Sequence, residues 1–140
     1  IAVQIDGDGQ HDIAFLEEML PILENSEADI VIGSRFINKD GFQSSAIRRF
    51  GINFLSGLIF ICTGKRIKDV TSGFRAVNRW FINYYADSYP IDYPEPEAII
   101  AAIMNRGRVK EYPVIMRERT GGSSSIKMFG SVYYMIKVTF

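Results

Sequence analysis

The sequence is poor in the residues that would commit it to several common functions. It has a single cysteine, Cys62, so no disulfide can close within it. Set in an apolar run, that thiol reads as inert core and agrees with a reducing compartment. It has a single histidine, His11. No Ser-His-Asp or Cys-His set emerges, which leaves covalent acyl chemistry without support. His11 itself reads as a solvated loop residue in preference to a metal ligand, because hard cations prefer oxygen. There is no excess of charge of either sign. The 16 basic and 16 acidic residues cancel, which removes the general case for nucleic-acid binding. The most apolar stretch, residues 46–63, is broken by Gly51, Asn53, Ser56 and Gly57 and does not make a confident membrane span. No signal peptide and no initiating Met are present, and the chain opens directly in a strand. A buried strand needs neighbours on both sides, so the expectation is a piece of a longer protein.

What is present is globular. Among 140 residues, 47% are hydrophobic and 23% charged, enough for one domain with a core of its own. Residues 1–5 are short, apolar and β-branched, and read as a buried strand covered on both faces. The strand runs into Asp6-Gly7-Asp8-Gly9-Gln10-His11-Asp12. Three readings are open for this stretch. Asp-Gly pairs form plain turns. A calcium loop counted from Asp6 fits at several positions, but its sixth must be glycine and is His11, and a strand precedes it where a helix should. The third reading is a metal and nucleotide-diphosphate site. Two carboxylates at the carboxyl end of a strand face the crevice where open α/β sheets bind ligands. Glycines at 7 and 9 allow close approach, and Mg²⁺ takes one or two carboxylates plus substrate phosphates. The third reading is the one adopted.

Residues 13–24 carry a helical apolar stripe with Asp12 as N-cap and Pro21 placed to kink or shorten it. Residues 29–35 form a second buried strand ending in Gly33-Ser34-Arg35, so strand–helix–strand begins a parallel α/β sheet. Arg35 then shares the carboxyl edge with Asp6 and Asp8, where it pairs a phosphate or balances the acids. Residues 37–45 read as a loop. Residues 46–63 form a helix, apolar almost all round after Arg48-Arg49. It is a buried core helix, or one lying on a membrane surface with both arginines at the head groups. Residues 74–77 read as a strand, 80–86 as a helix, 88–96 as a loop and 97–105 as a helix with Pro96 near its first turn and Gly107 past its end. A strand at 109–116, a basic Gly/Ser loop at 117–125 and an aromatic segment at 128–140 complete the chain.

Five motifs then stand in order: the 6–12 acid run, Gly33-Ser34-Arg35, Asp69-Val-Thr-Ser72-Gly73-Phe74-Arg75, Tyr93-Pro94-Glu95-Pro96-Glu97 and Arg119-Thr-Gly-Gly122-Ser-Ser124. Together they resemble family 2 glycosyltransferases of the GT-A fold, nearest the branch of dolichyl- and polyprenyl-phosphate sugar transferases. The resemblance implies a partial GT-A, Rossmann-like three-layer mixed sheet that lacks its N-terminal nucleotide-binding half. It implies a nucleotide diphosphate sugar as donor, with Asp6 near the nucleotide and the metal, and Asp8 on Mg²⁺ or Mn²⁺. Gln10 matches a third position near the metal. Arg35, Arg119 and Ser124 match donor-phosphate positions. Many members carry a Glu-Asp pair before the helix at 97–105, the Asp being the general base. Here Glu95 stands at the Glu and Pro96 at the Asp. Glu95 or Glu97 substitutes for the base, or none is needed because an acceptor phosphate is already deprotonated. The implied acceptor is a polyprenyl phosphate, glycolipid or glycan. The implied location is peripheral, on the cytoplasmic face of a membrane, with no nucleic-acid partner. A non-catalytic membrane-associated interaction module of the same fold is the alternative.

Overall fold

The computed structural model describes residues 1–38, 46–88 and 94–117. Its elements in chain order are β1 (Ala2–Gln4), a 3₁₀ turn (Ile13–Phe15), α1 (Leu16–Glu24), β2 (Ile30–Ser34), α2 (Ala46–Thr63), β3 (Arg75–Val77), α3 (Arg79–Ser88), α4 (Pro94–Met104) and β4 (Val109–Pro113). The four strands form one sheet in the order β1-β3-β2-β4. β3 is antiparallel to both β1 and β2, while β2 and β4 are parallel. The sheet is therefore mixed. β1 and β2 point the same way, as strand–helix–strand predicts, but β3 is inserted between them.

Alternation along β2 sends side chains to both faces. Ile30 and Ile32 join Ile52, Leu55 and Ile59 of α2, Phe81 of α3, Ile99 and Ala102 of α4, and Val109 in one core. Val31 faces the other way, packing with Phe74, Ala76, Val114 and Met19 and Leu23 of α1. Helices thus cover both faces, the three-layer α/β arrangement expected. Each of these buried aliphatic side chains contributes on the order of 1.5–3 kcal/mol by leaving water.

The local signals act largely as predicted. The Asp12 carboxylate accepts from the Ala14 amide at 3.0 Å, capping the first turn. Pro21 lies inside α1, which ends three residues later at Glu24. α4 starts at Pro94, earlier than the expected 97. Both Pro94 and Pro96 fall in its first turn, where amides have no helical acceptor and a missing N–H costs little. Beyond its end, Arg106 takes the left-handed conformation (φ 63°). Gly107 is needed for space: a Cβ there would overlap the Phe81 ring.

Three expectations are corrected. β1 is exposed along its whole length, because it is an edge strand paired only with β3 among the described residues. Cys62 is exposed, because it lies off the buried stripe of α2. The His11 side chain is only 1% exposed, because its ring lies on Phe74, with centroids 5.1 Å apart.

Candidate active site

The carboxyl ends of β1 and β2 flank the start of β3, and this brings the acid run to the 69–75 stretch. Gln4 pairs with Arg75, so two residues later the Asp6 carboxylate lies directly over Gly73. A Cβ on Gly73 would collide with all three carboxyl atoms of Asp6. Gly73 has no positive φ, so space and not conformation demands glycine.

Asp6 is half exposed, at 52% of its side chain. His11 Nε2 stands 3.8 Å from its Oδ2, an ion-pair distance longer than a hydrogen bond. The His11 ring is the main influence holding the Asp6 carboxyl below its ordinary value, against the opposing cost of partial burial; Arg35 and Arg75 add smaller contributions. Neither ring nitrogen of His11 has a hydrogen-bond partner among the described residues.

Asp8 closes a local turn, one oxygen accepting from the Gln10 amide at 3.1 Å. Gln10 is buried, and its side-chain amide donates to the Arg117 carbonyl at 3.1 Å. The Arg117 amide returns a bond to the Gln10 carbonyl at 3.0 Å, and His11 bridges Met116. Arg117 also pairs with Asp12 at 2.5 Å. The acid loop is thereby stitched to Met116 and Arg117, just past β4.

Arg35 does reach the same edge, but its guanidinium forks onto Asp69. Nε to Oδ2 is 2.7 Å and Nη2 to Oδ1 is 2.5 Å, and the Arg35 amide also donates to Asp69 at 2.9 Å. Both residues are buried. The sequence places Arg35 opposite the acids or a phosphate; its bidentate partner, 34 residues on, is Asp69. Glu111 of β4 accepts from the Lys68 and Asp69 amides, fixing that turn. Ser72 donates to the Gly33 carbonyl at 2.6 Å, and Arg75 Nε to the Ser72 carbonyl at 2.8 Å. Asp69, Ser72, Gly73 and Arg75 all stand in a motif quoted above, yet no role attaches to them from the sequence alone.

Glu97 is half-buried in the first turn of α4, and no hydrogen bond or ion pair joins it to the acid loop among the described residues. The Glu95 side chain, Arg119 and Ser124 lie outside the described residues. A cavity of about 320 Å³ opens beneath β1, lined by Val3, Arg75, Tyr85, Ala98 and Ile99, among others. Nothing in the sequence announces it.

No group of three or more His, Cys, Asp or Glu side chains able to hold a metal occurs among the described residues. A hard cation that takes one or two carboxylates and completes its shell with phosphate oxygens does not need one. Asp6 and Asp8 are oxygen donors of that kind.

No family model matches the chain. Over 117 residues, 81% of its length, it is 28% identical to the UDP-N-acetylglucosamine–dolichyl-phosphate N-acetylglucosaminyltransferase of Methanococcus voltae, of which the match covers 47%. Over 146 aligned residues, 94% of the chain, it is 28% identical to a dolichyl-phosphate beta-glucosyltransferase of Trichomonas vaginalis, of which 42% is covered. The chain therefore spans less than half the length of these relatives, and it resembles polyprenyl-phosphate sugar transferases along most of its own.

Proposed function

We propose that this chain is the catalytic and acceptor-facing part of an inverting, metal-dependent glycosyltransferase that moves a sugar from a nucleotide diphosphate sugar to a polyprenyl phosphate. The observation that carries the reading is the seat of Asp6 over Gly73. It joins the Asp-Gly-Asp loop to the 69–75 stretch in a chain similar to two dolichyl-phosphate sugar transferases.

Asp6 and Asp8, with Gln10 beside them, would hold Mg²⁺ or Mn²⁺ against the donor diphosphate. Bound there, the cation supplies Lewis-acid neutralisation of the leaving group, worth on the order of several kcal/mol. The chain's own residues set the frame. His11 and Gly73 fix where the Asp6 carboxylate lies, and Gln10 ties the loop to Arg117, just past β4. Arg119 and Ser124 would contact donor phosphates. Arg35 acts through Asp69, keeping the 69–75 stretch in place beneath the acids.

Transfer forms a bond from an acceptor phosphate oxygen to the anomeric carbon as the bond to the nucleoside diphosphate breaks, inverting the centre. The attacking oxygen is already anionic, so no side chain has to take its proton. Pro96 supports this, since on the family resemblance it falls at the general-base position, and its side chain has no acceptor atom. A lipid acceptor and a soluble nucleotide-sugar donor place the reaction at the cytoplasmic face of a membrane.

The test is product analysis with the full-length protein, UDP- and GDP-sugars, and either polyprenyl phosphate or a glycan hydroxyl acceptor. Label should enter the lipid phosphate, and Glu95→Gln and Glu97→Gln should each keep substantial rate. Transfer to hydroxyl acceptors alone, with a Gln variant losing the ~10²–10⁴-fold of a general base, would overturn the acceptor assignment.

A further inference from the structure

Gln10 is 8% exposed, whereas Asp6, Gly7 and Gly9 of the same loop are exposed. Three of its polar groups are engaged. The side-chain Nε2 donates to the Arg117 carbonyl at 3.1 Å, and the Gln10 carbonyl accepts from the Arg117 amide at 3.0 Å. The Gln10 amide donates to Asp8 Oδ1, also at 3.1 Å. Gln10 therefore grips both backbone polar groups of a residue 107 positions away and passes that residue's position to Asp8. His11 reinforces the seam by bridging Met116, and Asp12 does so by its pair with Arg117.

This geometry bears on how Asp8 meets a cation. An ionised carboxylate has about four lone-pair sites, so the Gln10 amide can hold one oxygen while others remain for a cation. A carboxylate already held loses less freedom when the cation arrives, which raises affinity without a new contact. Removing a bond that orients a metal-binding side chain from behind typically costs ~10–100-fold in metal affinity. A side-chain amide divides its roles: its nitrogen donates and its oxygen accepts. In Gln10 the atom that reaches Arg117 is the nitrogen, and a donating N–H cannot itself ligate a cation.

We propose that Gln10 is a positioning residue, which mounts the Asp8 carboxylate on Met116 and Arg117 past β4 and sets cation affinity through its N–H bond to the Arg117 carbonyl. The proposal deepens the cation site of the preceding section and rests on that reading. Coupling between two binding events is reciprocal, so a cation on Asp8 must in turn tighten the bonds at Arg117.

Gln10→Glu separates this role from that of a plain oxygen donor. Glutamate keeps the length of the side chain, offers a hard oxygen and adds a charge, so as a plain oxygen donor it would bind the cation as tightly as glutamine or more so. Ionised glutamate has no N–H for the Arg117 carbonyl. Mn²⁺ binding to the full-length protein is read by water-proton relaxation with UDP or GDP present. Affinity should fall about tenfold or more in Gln10→Glu, with cooperative melting retained. A second measurement needs no variant: in wild type, Mn²⁺ should slow hydrogen exchange of the Arg117 amide about fivefold or more. Affinity in Gln10→Glu equal to or above that of wild type would overturn the proposal and leave the cation site standing. Arg117 exchange indifferent to Mn²⁺ would do the same, and it decides the matter even if the variant does not fold. No Mn²⁺ binding by wild type with either nucleotide would remove the cation site itself, and this proposal with it.

Discussion

Gly73 and Asp6 make a contact that only the smallest residue permits, and it separates a structural role from a functional one. In Gly73→Ala the added methyl must displace the Asp6 carboxylate, since the backbone there is ordinary and Asp6 is half exposed and free to swing out. Sugar transfer by the full-length protein should fall by about tenfold or more, a barrier change of ~1.4 kcal/mol, while the melting temperature moves little. Unchanged rate would disconnect Gly73 from the site. The buried pair predicts the opposite pattern. Asp69→Ala strands the Arg35 guanidinium in the core, and urea unfolding should show a loss on the order of 3–5 kcal/mol. A loss under about 1 kcal/mol, the range of an exposed pair, would contradict the burial described here. At this scale the sequence is informative about residue type and silent about partners. It places Asp6 and Arg35 on one edge. That Arg35 is claimed by Asp69, and that His11 is buried on Phe74, follow from contacts 34 and 63 residues apart, which no local pattern encodes.

Among elements, the junction of β2, β3 and β4 is held by one carboxylate. Asp29 precedes β2 and accepts from the Arg108 guanidinium and amide and from the Asn78 side chain at 2.8–3.0 Å. Those bonds, the Arg108 side chain foremost, hold its carboxyl below the ordinary value of 3.8. The unfolded chain therefore binds the proton more readily than the folded one, so stability rises with pH through this range. The contribution is complete above about pH 4 and is lost as pH falls through the lowered folded value. Asp29→Asn should flatten the stability–pH curve below about pH 4 and leave its shape near neutrality, as read by thermal melts across pH. An unaltered acid limb would show that the junction is held otherwise. Helices and the second strand were readable because their signals are local: the Asp12 cap, the apolar stripe of α1, the unbroken apolar run of β2. β1 departs from the expectation for a physical reason. A β-branched run looks the same whether a sheet covers it or leaves it at an edge, and only the pairing order places β1 at the end. α4 began earlier than expected because two prolines look like a loop until they fall in a first turn.

At the scale of the whole molecule, two apolar cores sandwich one mixed sheet, and among the described residues the acid loop and the 69–75 stretch gather at one end of it. Asp6 and Asp8 follow β1, Gly33 to Arg35 end β2, and the 69–75 stretch enters β3. Among the described residues, a cavity opens beneath β1 and Phe50, Phe54 and Ile61 of α2 are exposed. The decisive question is whether that one end moves a sugar to a lipid phosphate. The direct measurement is transfer of labelled sugar from a nucleotide diphosphate sugar into polyprenyl phosphate by the full-length protein, comparing wild type with Asp8→Ala and titrating Mg²⁺ or Mn²⁺. Wild type should form a metal-dependent lipid-phosphate product. Asp8→Ala should form essentially none while melting as wild type does. Asp8→Ala activity within about tenfold of wild type, a barrier change of only ~1.4 kcal/mol, would contradict the site and the mechanism built on it.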